Sequence, residues 1–121
     1  MLRDYFYKNR DVYTLPAGTT FCPFAWQVAE GETMHFTGNM STENAGPGND
    51  HIFLILKKDS QNVAVGTQDS VDIGGAWRNM NASVIYKEKM SQSSTFELCL
   101  NSHLGTTIPA NNIQFEYQIY G

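Results

Sequence analysis

Near the end of the chain Ile113, Phe115, Tyr117 and Ile119 alternate strictly with Gln114, Glu116 and Gln118. A period of two sets the apolar side chains on one face of an extended strand and the polar ones on the other. Phe24, Trp26 and Val28 repeat the pattern, as do Met34 with Phe36, and Phe96 with Leu98 and Leu100. Strands with a single apolar face bury it against a second layer, so this chain has to stack sheets or close a barrel. No segment carries the spacing of an amphipathic helix, and only 88–94 or 102–108 leave room for a helical turn.

Turn signals divide the strands. Glu30-Gly31 lies between two alternating segments and reads as the tight turn of a hairpin. Residues 38–50, GNMSTENAGPGND, read as a loop on composition. The mostly apolar run Ile52 to Lys57 predicts a central strand buried on both faces. Asp59-Ser60-Gln61-Asn62 turns the chain, and Val63 to Val65 return antiparallel. Asp72 to Gly75 interrupt it again before a short strand at Val84 to Tyr86. The expectation is an all-β chain of about eight strands folded as a single antiparallel β-sandwich of jelly-roll type, one domain over 1–121. Its core is expected to contain Phe24, Trp26, Val28, Phe36, Leu54, Leu56, Phe96, Leu98, Phe115 and Tyr117.

Composition narrows the function classes. A chain of 121 residues is long enough for one core and too short for two. Seven Phe, six Tyr and two Trp within 41% hydrophobic residues mark a packed chain, not a disordered one. The net charge is −4 and the longest basic run is Lys57-Lys58, which argues against nucleic acid and against an anionic membrane surface as partners. No run approaches the roughly 20 apolar residues of a membrane span. The opening MLRDYFYKNRDVY lacks the apolar stretch of a signal peptide, so a soluble chain is expected.

Groups that carry chemistry are scattered. His35, His51 and His103 have no metal-ligand spacing, and no hydrolase, nucleotide-binding or zinc motif occurs. Cys99 and His103 stand roughly 13 Å apart if extended, too far for a nucleophile and its base. Asp50, Asp69 and Asp72 flank loops as candidate calcium ligands, but without alternating acidic spacing they read as turn formers. No enzyme activity, cofactor or metal is therefore expected. Tyr5 and Tyr7, with Phe6 and Trp77, form a candidate binding surface for a sugar or a protein. The competing reading makes the N-terminal segment an edge strand that buries Tyr5 and Tyr7, or else Phe6. Cys22 and Cys99 permit one disulfide or two free thiols. The sequons at Asn39 and Asn81 occur at chance frequency and decide nothing.

Three segments resemble the GOLD domain, a β-sandwich of membrane-traffic receptors and some lipid-transfer proteins. LPAGTTF (15–21) looks like the opening strand of its lipid-transfer branch, and LILKKDSQNVAV (54–65) is similar to its central hairpin. TFELCLNSHLGTTIPANNIQFEYQIYG (95–121) looks like its closing pair of strands. The likeness covers about half the chain, and the signal peptide, coiled coil and membrane span of the receptors have no counterpart here. It implies an early strand carrying Cys22 beside a late one carrying Cys99, with Cα atoms within about 7 Å. It also implies a protein-interaction module that presents loops or an edge strand to a protein partner. The alternative is a self-associating structural subunit of a larger assembly, such as a virion decoration or fibre protein, which the low charge density suits. A carbohydrate-binding module is a further alternative.

Overall fold

A computed structural model describes residues 1–8, 13–44, 50–70, 78–102, 106–108 and 113–121. Its strands are β1 (Leu2–Lys8), β2 (Tyr13–Leu15), β3 (Phe21–Val28), β4 (Thr33–Asn44), β5 (Asp50–Lys58), β6 (Gln61–Ser70), β7 (Arg78–Lys89), β8 (Ser94–Ser102), β9 (Thr106–Ile108) and β10 (Ile113–Tyr120). The eight longer strands form two four-stranded antiparallel sheets, ordered β1-β10-β4-β7 and β3-β8-β5-β6. No helix occurs among the described residues, so 88–94 supplies no helical turn; of 102–108, Ser102 and 106–108 are strand and 103–105 lie outside the described residues.

The pairing has a simple generating rule. β5 pairs with β6, β4 with β7, β3 with β8, β2 with β9 and β1 with β10, so the strands nest as one long hairpin. The tip is the two-residue turn Asp59-Ser60, with φ of 49° and 68°. Positive φ at both central residues defines the type I′ turn, whose twist suits a tight hairpin. Two further pairings, β10 with β4 and β8 with β5, roll this ribbon into two layers. The result is a jelly roll, a two-layer sandwich of the kind the alternation requires.

The alternation fixes which side chains meet between the layers. Trp26 is the hub: its ring centroid lies 4.6 Å from that of Tyr117, 5.7 Å from Phe36 and 6.1 Å from Phe96. Its indole N–H donates to the Met34 sulfur at 3.1 Å, which satisfies a buried donor. Of the ten expected core residues nine are buried, and Phe24 packs against them half-buried near an edge. β5 lies inside its sheet, with Ile52, Leu54 and Leu56 in the core and Ile55 covered on the opposite face.

Three sequence expectations need correction. Glu30-Gly31 is a turn, with Gly31 at φ 84°, but no hairpin: β3 and β4 belong to different sheets. Alternation is the same whether adjacent strands pair side by side or face each other, and burial of Trp26 against Phe36 and Met34 selects the second. Second, 38–50 is mostly strand: β4 runs on to Asn44 and β5 begins at Asp50, while 45–49 lie outside the described residues. Met40 is fully buried there, one apolar residue among polar ones on a strand already held on both sides by β10 and β7. β6 and β7 likewise run well past 63–65 and 84–86. Third, LPAGTTF is no single strand, because it spans the end of β2, a turn with Gly18 at φ 68°, and the start of β3. The break at Asp72–Gly75 lies outside the described residues.

Candidate functional site

The two sides of the sandwich differ. On one, β6 and β7 meet so closely that a Cβ on Gly66 would fall 2.1 Å from the Ser83 carbonyl oxygen. Only glycine permits that approach, and it seals the layers together. On the other side β1 and β3 are the outermost strands of their sheets and do not pair. Among the described residues, the exposed large apolar side chains gather here: Met1, Leu2, Tyr5, Phe6 and Tyr7 around β1, and Phe21 on β3, with Val65 and Ile85 elsewhere. A slot of about 170 Å³ opens between the layers at this edge, lined chiefly by Phe6, Pro23, Phe24, Trp26, Phe115 and Tyr117. Phe6 reaches into it, its ring 5.4 Å from Phe115 and 5.6 Å from Tyr117.

The edge is pinned at one end. Arg3 of β1 forms a two-pronged ion pair with Glu32, in the turn leading into β4, and Glu32 also accepts the Ala29 amide at 2.7 Å. The Arg3 guanidinium and this amide hold the Glu32 carboxyl below the usual carboxylate range. Nearby, Asp59 at the hairpin tip accepts the Thr95 amide at 2.9 Å while its own amide donates to the Thr95 carbonyl at 2.8 Å. A depression of about 550 Å³ lies among these residues, and both of its carboxylates are engaged in holding turns.

Register defines the outer face of the β1-β10-β4-β7 sheet. One row across it is Tyr7, Glu116, Thr37 and Ile85; the next is Tyr5, Gln118, His35 and Lys87. Tyr5 and Tyr7 therefore share this face, 50% and 49% exposed, and Phe6 points the other way. The reading in which the N-terminal segment forms an edge strand holds, but Tyr5 and Tyr7 are not buried by it. The Tyr5 hydroxyl donates to Glu116 at 3.0 Å, and this bond raises the Tyr5 pKa. Between Tyr7 and Ile85 lies a groove of about 320 Å³ whose polar floor includes Thr37, Asn39, Ser83, Gln114 and Glu116. Beside it Thr33, His35, Lys87, Glu88, Lys89 and Tyr120 line a basic depression of about 550 Å³.

Trp77, His103 and Asp72 lie outside the described residues, as do the side chains of Asp50 and Asp69. His35 and His51 sit in different sheets. Cys22 and Cys99 are joined by a disulfide across neighbouring β3 and β8, with Cα atoms 4.0 Å apart. Cys99 lies on the face of β8 opposite Phe96, Leu98 and Leu100, yet it is fully buried. Among the described residues, the group of potential metal ligands within 4.8 Å of one another is Cys22, Glu97 and Cys99, and the disulfide occupies both sulfurs. No described helix is long and apolar enough to cross a membrane. Sequence reasoning singled out the tyrosines but not the groove. The signal was the polar half of the alternation, Gln114 and Glu116 with Thr37 and Asn39, which periodicity treats only as the solvent side. The chain matches no family model and no curated protein.

Proposed function

We propose that the chain is a non-enzymatic interaction module that binds a protein partner by adding an extended strand to the open edge of β1. The observation that carries this is the concentration of exposed apolar side chains on β1 and β3, beside the slot between the layers. An edge strand offers a row of main-chain donors and acceptors, and adjacent pockets read alternate side chains of the added strand. Among the described residues, the opposite side of the sandwich is closed by the contact at Gly66.

A second reading, the subunit of a larger assembly, has its own support. Paired antiparallel with a second copy of itself about Phe6, β1 sets Asp4 opposite Lys8 and Tyr5 opposite Tyr7. The edge is thus self-complementary in charge and in aromatic content. Jelly rolls also occur in capsid and lectin domains, which is analogy of fold alone.

A photo-crosslinking residue at position 6, expressed in the native host, tests both readings, with the same residue at Thr95 as control. A heteromeric product specific to position 6 supports the partner reading. Crosslinked dimers, accompanied by concentration-dependent sedimentation of the purified chain, support assembly. Equal labelling at both positions removes β1 as the docking edge.

A further inference from the structure

We propose that the groove between Tyr7 and Ile85 binds a sugar ring of a neutral polysaccharide, at a site that shares β1 with the strand-adding edge but opens on the outer face of the sheet. Its walls stand at the two ends of one cross-strand row. Tyr7 projects from β1 with half its surface exposed, and Ile85 projects from β7 with 82% exposed. Three interstrand steps separate them, roughly 14 Å of backbone at the usual sheet spacing. That width admits a ring lying against either wall. The volume of about 320 Å³ falls at the small end of the range for ligand sites, roughly 300–1,000 Å³.

The chemistry of walls and floor selects the ligand. A pyranose has C–H faces that lie flat on an aromatic ring and a rim of hydroxyls that both donate and accept. Tyr7 offers the ring. Hydroxyls from Thr37 and Ser83, amides from Asn39 and Gln114 and the Glu116 carboxylate supply mixed donors and acceptors from three adjacent strands. The Tyr5 hydroxyl steadies Glu116 through one oxygen, at 3.0 Å. A lone carboxylate with no cation among the described lining residues repels phosphate, which disfavours nucleotides and nucleic acid. The polar floor disfavours an acyl chain, whose burial there would strand hydrogen-bonding groups. A peptide strand would seek the free edge of β1, since the main-chain groups on this face are already spent on sheet pairing. A neutral sugar is what remains.

Native affinity electrophoresis tests this. The purified chain is run through gels each containing one polysaccharide: a β-glucan, a xylan, a mannan, a galactan, and alginate as the anionic comparison. Retardation by at least one neutral polymer is expected, weakened about tenfold in Tyr7→Ala, the size of one lost aromatic contact. Asn39→Ala and the groove-filling Ser83→Trp should weaken it as well, with melting temperatures near that of the parent chain because all three positions are exposed. Retardation by alginate alone would assign binding to the neighbouring His35, Lys87 and Lys89 depression and overturn the proposal. No retardation by any neutral polymer, or retardation that persists in both Tyr7→Ala and Asn39→Ala, also overturns it. All of these outcomes are read on the purified chain, with no protein on β1.

Discussion

Gly66 shows how much one absent methyl group can decide. Its Cβ position is already occupied by the Ser83 main chain, at distances from 2.1 to 2.8 Å, so an alanine there has to move backbone. Overpacking of this kind costs about 1–3 kcal/mol, and a rigid neighbour places Gly66→Ala at the upper end or beyond. Gly31→Ala is the useful contrast. Gly31 has open space around it and a φ of 84°, so alanine meets only the conformational penalty, about 1 kcal/mol. Urea denaturation of both variants should show the larger loss at Gly66; equal losses would mean that β6 and β7 do not touch as described. In the core, Leu98→Ala and Phe115→Ala should each cost about 2–5 kcal/mol, since both residues are buried between the layers. A loss below about half a kcal/mol at either position would fall outside that range and refute its inward orientation.

Two ionic ties hold elements together and predict the response to pH. Arg3 and the Ala29 amide grip Glu32, while Lys58 of β5 meets Glu88 of β7 at 2.6 Å with the Tyr86 hydroxyl as second donor. Hydrogen bonds hold the carboxyls of Glu32, Glu88 and Asp59 below their ordinary values of 4.5, 4.5 and 3.8. A lowered folded pKa contributes stability that is present above the ordinary value and is lost as pH falls through the folded one. The melting temperature should therefore be level near neutrality and decline once the pH passes below 4.5, and Glu32→Gln should lower the plateau and soften the decline. A midpoint unchanged from neutral pH into strong acid would remove these ties from the account. At the alkaline end burial, reinforced by the bond to Glu88, pushes Tyr86 up to about 12, so its contribution fades as pH rises from 10 toward that value. Legibility stops at the same scale. Alternation showed which side of β3, β8 and β10 faces inward because burial alone sets the side. It did not show partners: β3 and β4 are four residues apart in the chain and never pair, whereas β1 finds β10 at the far end. The continuation of β4 past Gly38 was hidden because its polar residues need only the main chain to stay in a sheet.

At the level of the whole molecule, the disulfide closes a span of 77 positions between neighbouring strands. In the chain-entropy description a loop of this length contributes about 4–5 kcal/mol, through restriction of the unfolded chain. Cys99 is fully buried and Cys22 half-buried. Guanidinium titrations with and without reductant should differ in midpoint, and coincident curves would show that the bridge contributes nothing. The expectation that Cys22 and Cys99 sit side by side comes from a resemblance and not from any local pattern, since none links residues so distant. The groove was less legible still, because Thr37, Asn39, Gln114 and Glu116 become neighbours only through pairings that periodicity does not reveal.

The nested hairpin also orders the molecule in time. A ribbon closed at Asp59-Ser60 zips outward, and each pair formed shortens the loop that the next must close. β1 and β10 are then last to join, and β1, held on one side only, is first to leave. The disulfide sits partway along the ribbon and stops the fraying short of β4, β5, β6 and β7. Opening of β1 therefore leaves the inner turns wound while it uncovers the aromatic slot beneath Phe6. Native-state hydrogen exchange should show β1 amides released at a free energy well below that of β5 and β8. On the proposed reading, the strand that receives a partner is also the one the fold can spare.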